Sequence, residues 1–255
     1  MSNNIVFFDS LSDQLKDGGI WSPSFISVEA WLDASDAGTI TLSEIPGSED
    51  HVTNWADKSG NGRDFEQGTD AIQPPYNTPD PLMNNLPSLG YDLMTNQQTQ
   101  LVHTNTFPAK RVYVVSYYNA STFANWNIMV GNLLNSNKPR FGGHSGQNYF
   151  QDNEVDTAYK NGYRDTNYSS GVPVLPMFPT VWNTTFDFSR EGQWSVLGIG
   201  SWWTGWGTHG AISEVIFTDG LEDLETQQKI EGYLAWKWGT QGSLASDHPY
   251  KTGRP

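Results

Sequence analysis

Between Phe25 and residue 222 the sequence carries no helical period, and short strand-like runs alternate with turn signals instead. Trp182, Thr184, Phe186 and Phe188 alternate with Asn183, Thr185, Asp187 and Ser189, the two-residue period of a strand with one wet face. Val112 to Tyr118 is apolar on both faces, which predicts an inner strand. Ala211 to Phe217 is similar, with Ile212 and Ile216 expected on one side and Val215 and Phe217 on the other. Further strands are expected at Ile26 to Asp33, Val52 to Ala56, Leu89 to Leu93, Asn127 to Gly131 and Trp194 to Ile199. Runs this short, punctuated by Gly, Pro and Asn, predict an all-β antiparallel sandwich or jelly roll.

One helix interrupts the pattern, from about Glu222 to Trp238. Glu222, Asp223 and Glu225 suit the positive end of its dipole, and Lys237 precedes a Gly239 stop. Leu224, Ile230, Tyr233, Leu234 and Trp238 are expected to form its buried stripe, with the helix across one end of the sandwich. Trp236 and Trp238 are two residues apart and cannot share a helix face, so one is expected in the core and the other over a sheet edge.

Residues 25 to 255 read as one domain, and 255 residues suffice to bury about three quarters of the unfolded surface. Residues 1 to 24 stand apart. Ile5 to Phe8 and the capped stretch from Ser10 to Gly18 read either as an edge strand plus connector or as an arm that attaches to another protein. The apolar run Ile5 to Phe8 has no basic residue before it and is too short for a signal peptide or a membrane span. Residues 73 to 87 hold five Pro and read as an extended loop.

A net charge of -14, with 28 acidic against 14 basic residues and no basic run, argues against nucleic-acid and anionic-membrane partners. The absence of Cys removes disulfides, thiolate catalysis and Cys-held metals. The histidines at 51, 103, 144, 209 and 248 show no His-x-His or His-Glu-x-x-His spacing, and no Gly-x-Ser-x-Gly elbow occurs. Asp57-Lys-Ser59-Gly-Asn61-Gly62 places oxygen-bearing side chains at alternate positions with Gly at the sixth, like the first half of a calcium loop, but the twelfth position is Gly68. Its structural reading is a tight hairpin turn at Asn61-Gly62, with Asp57 and Ser59 bonding the backbone. Its functional reading is a one-sided calcium site at Asp57, Asn61 and Asp64. Trp202, Trp203 and Trp206, set among glycines, form the densest aromatic cluster and are the candidate carbohydrate-binding residues; packing or a protein interface is the structural reading.

Three stretches together carry a family resemblance. They are Ala30-Trp-Leu-Asp-Ala-Ser-Asp with Val52-Thr-Asn-Trp-Ala-Asp-Lys-Ser-Gly-Asn-Gly-Arg-Asp, then Gln73-Pro-Pro with Asn85-Leu-Pro-Ser-Leu-Gly-Tyr-Asp, and finally Gly210-Ala-Ile-Ser-Glu-Val-Ile-Phe with Ile230-Glu-Gly-Tyr-Leu-Ala-Trp-Lys-Trp-Gly and His248-Pro-Tyr-Lys. In order and spacing they resemble the concanavalin A-like lectin/glucanase superfamily, in the laminin G-like jelly-roll form of phage virion and bacterial surface proteins. The resemblance implies an antiparallel jelly roll, and similar domains bind calcium. It leaves function open, because the fold hosts lectins, hydrolases and structural modules. The β-glucan-cleaving members carry a Glu-x-Asp-x-(x)-Glu strand, whose nearest counterpart, Glu154-Val-Asp156, lacks the third carboxylate. The expectation is therefore a non-enzymatic phage virion surface protein, a head decoration, fibre or tail-associated module assembled in the host cytoplasm. Its expected partners are other capsid or tail proteins and cell-surface glycan, in a homo-oligomer with a trimer as the expected state. A secreted carbohydrate-active enzyme or its binding module, and a ligand-free capsid cement protein, are the alternatives.

Overall fold

A computed structural model of the protein describes residues 20–48, 50–91, 99–118, 127–132, 141–143, 155–165, 180–186, 194–197 and 210–255. These residues form two antiparallel sheets and one α-helix, a mostly-β arrangement compatible with an all-β sandwich. The first sheet runs β12 (Tyr163–Asp165), β11 (Val155–Lys160), β13 (Thr180–Phe186), β8 (Arg111–Tyr118), β15 (Gly210–Thr218), β6 (Ser88–Tyr91) and β5 (Tyr76–Asn77). Strand β1 (Ala30–Asp33) joins it through β15. The second runs β10 (Phe141–Gly143), β9 (Asn127–Gly131), β14 (Trp194–Leu197), β7 (Leu101–Phe107), β4 (Phe65–Glu66), β3 (Val52–Trp55) and β2 (Ile40–Leu42).

Two hydrophobic cores result. The first lies between the sheets, where Leu32, Val112, Val114, Val215 and Phe217 meet Trp55, Phe65, Leu101, Phe107 and Met129. The second lies on the opposite face of the first sheet, where Tyr113, Val115, Tyr117, Ala211 and Ile216 meet helix α1 (Leu224–Lys237). Strand β8 is thus apolar on both faces because both are covered, one by a sheet and the other by a helix. The helix covers a face of the first sheet and does not lie across the end of the sandwich. Trp21, from the segment before residue 25, is fully buried in this second core, and its backbone N–H donates to the Pro255 carbonyl.

Strand β15 departs from the expected alternation. A bulge between Ile212 and Glu214 shifts its pairing with β8, so Ile212 joins Val215 and Phe217 in the inner core while Ile216 joins Ala211 beneath the helix. One extra residue inverts the phase of everything beyond it. The same bulge separates the segment of β15 paired with β6 from the segment paired with β1.

Helix α1 is capped by Asp223, whose side chain accepts from Thr226 N at 2.8 Å. It ends with Gly239 in the left-handed region at φ 76° and with Thr240 N donating to the Ala235 carbonyl, a Schellman closure. A side chain at Gly239 would also press on Asn84, whose Cβ lies 3.2 Å from where a Cβ would stand. Ile230, Leu234 and Trp238 are buried as expected, whereas Leu224 is 61% exposed and Gln227 takes the buried position in the first turn. Trp236 is half-buried and lies against the C-terminal segment rather than a sheet edge, with its indole N–H donating to the Tyr250 carbonyl at 2.8 Å.

Candidate functional site

Strands β1 and β15 place Asp33 directly opposite Glu214. Two carboxylates facing each other across an antiparallel pair repel, and both are buried here, so the arrangement requires a cation. Helix α1 supplies it. Lys237 Nζ donates to Asp33 Oδ1 at 2.6 Å and to Glu214 Oε2 at 2.8 Å. Glu214, with no exposed surface, also accepts from the indole N–H of Trp31 at 2.7 Å and of Trp238 at 2.6 Å. Lys58 Nζ donates to Asp33 Oδ2 at 2.8 Å, pairs with Asp36 at 2.9 Å and lies 4.5 Å from the centre of the Trp31 ring.

Burial alone would raise the Asp33 carboxyl, but Lys237 and Lys58 bring it below the ordinary aspartate range. Burial raises Glu214 above the ordinary glutamate range, and Lys237 offsets only part of that. Burial, with the carboxylates of Glu214 and Asp33, pushes the Tyr233 phenol well above its usual value, so it stays neutral and accepts from Lys237 at 3.3 Å. These groups belong to the first and third of the stretches singled out in the sequence. Trp31, Asp33 and Asp36 come from one segment, Lys58 from the next, Glu214 from β15, and Lys237 with Trp238 from the helix end. Sequence reasoning missed the centre. The available signal was a glutamate inside an otherwise apolar strand and a lysine between two tryptophans, because an acid in a buried strand requires a partner.

The loop 56–64 joins β3 to β4 and holds the candidate calcium residues. It is a nine-residue connection rather than a two-residue turn, and the left-handed positions are Gly60 and Gly62, not Asn61. Asp57 Oδ1 accepts from Trp31 N and Ser59 N, both at 2.8 Å, and Oδ2 accepts from Ser59 Oγ at 2.6 Å and Arg63 N at 3.1 Å. Asn61 Nδ2 donates to the carbonyls of Val28 and Glu29 at 3.0 Å, and Asp64 Oδ1 accepts from Asp57 N at 2.8 Å. Asp57 and Asn61 therefore fasten this loop to β1 and to the residues just before it, and Asp64 closes the loop on itself. Among the described residues no group of three His, Asp or Glu side chains is disposed to hold a metal ion.

A buried pair closes the C-terminal segment onto the helix. His248 accepts at Nδ1 from Tyr250 N at 3.2 Å, which assigns the proton to Nε2, 3.2 Å from Glu231 Oε2. Gln227 holds the other Glu231 oxygen at 3.1 Å. Where the helix ends, two cavities of about 290 and 360 Å³ are both bordered by Asn84. Tyr233, Trp236, Lys237 and Arg254 line the first, and Leu82, Thr240 and Ser243 line the second.

Trp202, Trp203, Trp206 and Glu154 lie outside the described residues, as do residues 1–19 of the expected attachment arm. Asp156 lies in β11. Comparisons of the chain with protein-family models, with curated proteins and with solved structures returned no match.

Proposed function

We propose that this chain is a non-catalytic surface module of a phage virion, a concanavalin A-like jelly roll of laminin G-like form that adheres to carbohydrate. The observation that supports it best is the disposition of the acids gathered at the motif centre. Asp33 and Glu214 are buried beneath Lys237 and two indoles, where they hold three sequence-distant segments together. A glycosidase instead needs two carboxylates facing a cleft with space for a sugar between them. The motifs that carry the family resemblance are thereby accounted for as scaffold. Ligand contact then falls to aromatic surface, for which Trp202, Trp203 and Trp206 are the candidates. The module attaches to other head or tail proteins through residues 1 to 24 or through an outer strand such as β12, where Tyr163 is 53% exposed.

Glycan-array binding with and without calcium, repeated on a Trp202→Ala, Trp203→Ala, Trp206→Ala variant, tests this reading. Binding to at least one glycan, together with labelling of virions by an antibody to the protein, is expected. A native protein that binds no glycan rules out adhesion and favours a ligand-free cement role. Release of reducing sugar from a bound glycan rules out the non-catalytic reading.

A further inference from the structure

We propose that the paired cavities at the C-terminal end of helix α1 form a groove for a neutral saccharide, with one pyranose ring in each. This inference rests on the saccharide-binding reading and assigns it a site apart from Trp202, Trp203 and Trp206. Three observations carry it.

The first is the aromatic face. Trp21, Trp31, Trp55 and Trp238 are buried in the two cores, whereas Trp236 is half-buried and lines the 290 Å³ cavity. Its indole N–H is held by the Tyr250 carbonyl, which fixes the ring plane before any ligand arrives. Such a preset aromatic face is what the apolar face of a pyranose stacks on.

The second is the set of polar groups left over. Arg254 is exposed, lies over one face of the Trp236 ring at 5.8 Å from its centre, leaving the other face for a sugar, and has no carboxylate partner among the described residues. Its guanidinium offers several donors in one plane, a match for adjacent sugar hydroxyls. In the 360 Å³ cavity, Thr240 is 5% exposed and its Oγ1 has no hydrogen-bond partner. A hydroxyl buried without a partner beside a cavity is costly, and rotation of the side chain toward the cavity would let a ligand hydroxyl satisfy it. Asn84 spans the boundary, anchored through Nδ2 to the Lys237 carbonyl at 3.0 Å.

The third is charge. Lys237 lines the groove, yet its ammonium is already held by Asp33 and Glu214. The groove therefore has one uncommitted cation on a chain of net charge -14, which disfavours an acidic polymer and suits a neutral one.

The test measures binding of full-length protein to neutral disaccharides and trisaccharides of gluco, galacto and manno configuration and to their uronate counterparts, by titration calorimetry in low and high salt. Arg254→Gln, an exposed change, and Thr240→Val are each expected to weaken binding about tenfold, the effect of one lost hydrogen bond to a charged or buried group. Trp236→Ala is expected to abolish binding, with Trp236→Phe, which keeps a ring, retaining part of it. Equal melting temperatures for native and Arg254→Gln protein separate a lost contact from a lost fold. Neutral-sugar binding that is insensitive to salt and to the Trp202, Trp203, Trp206 triple variant supports the groove. Binding lost in that triple variant and unchanged in Arg254→Gln and Thr240→Val overturns the groove and leaves the adhesion reading in place. Preference for uronates overturns the neutral class. No binding of any saccharide overturns both.

Discussion

The two faces of β15 bury comparable amounts of structure by different means. Its inner face presents Ile212, Val215 and Phe217 to the second sheet, in a core where shape and apolar area are sufficient. Its outer face presents Ala211 and Ile216 to the helix, and between them Glu214, which has no access to water. Inside, each residue contributes by filling space, and a slightly smaller one fills it slightly less well. Outside, Asp33 and Glu214 have no favourable arrangement without Lys237, because its loss leaves the fully buried Glu214 without a counter-charge. One strand thus couples a graded core to one that depends on a single cation.

Removing the helix cation should separate these faces most sharply. Lys237→Met leaves Glu214 without a counter-charge and opposed to Asp33, which keeps Lys58, and should cost about 3–5 kcal/mol in urea unfolding. Adding Glu214→Gln to that variant should recover part of the loss, since the second change removes the stranded charge. A strictly additive pair of effects would mean that the three groups do not act as a unit.

Asp33→Asn should cost about 1.5–3 kcal/mol near neutral pH, through the loss of charged hydrogen bonds from Lys237 and Lys58. Its pH dependence is more telling. Asp33 ionises more readily folded than unfolded, so its contribution is present above the ordinary aspartate range and is lost as pH falls through the lower, folded value. The stability advantage of the native protein over Asp33→Asn should therefore shrink on acidification. Glu214 has the opposite sign. Its folded value is raised, so the folded state binds the proton first, and its contribution declines as pH rises through the window above the ordinary glutamate range. Urea melts across the acid range, on Asp33→Asn and Glu214→Gln in parallel, should show slopes changed in opposite directions. Slopes changed alike would break the distinction drawn between the two acids.

The inner face should respond mildly. Ile212→Val removes one methylene from the graded core and should cost about 0.5–1.5 kcal/mol, with no change in the acid limb. A larger cost accompanied by altered pH dependence would show that the two faces are coupled through the bulge.

What could be read in the sequence follows the same division. Strand β8 was legible on both faces because a nearly continuous apolar run admits few alternatives, and helix α1 because the acids at its start and the Gly239 stop have local physical causes, although Asp223 serves as the cap rather than in the first turn. The phase of β15 was not, because a bulge at Ser213 leaves no mark on an apolar run. The position of the helix was not either, since a buried stripe identifies what is covered and not what covers it. The charged centre was least legible, because its partners lie up to 204 residues apart and only pairing of β1 with β15 makes them neighbours. Of the candidate site residues, Asp57, Asn61 and Asp64 sit together in one loop, as their spacing implied, but Asp57 and Asp64 already accept from backbone N–H groups and the Asn61 amide donates to two carbonyls.

That engagement sets the smallest expected effect. Binding calcium at Asp57 would mean giving up some of the four hydrogen bonds it accepts, two of them from Trp31 N and Arg63 N, which tie the loop to β1 and to its own far side. The loop is complete without an ion, so calcium or a chelator should leave the melting temperature unchanged. Asp57→Asn should destabilise the protein to the same extent in both conditions, by about 1–3 kcal/mol for the weakened acceptor. If calcium raises the melting temperature of the native protein and the Asp57→Asn change removes that rise, the loop is a cation site and its hydrogen bonds rearrange on binding. Because Asp57 holds the backbone of Trp31, and Trp31 donates to Glu214, such a result would also place the charged centre under the control of an ion bound on the outside of the fold.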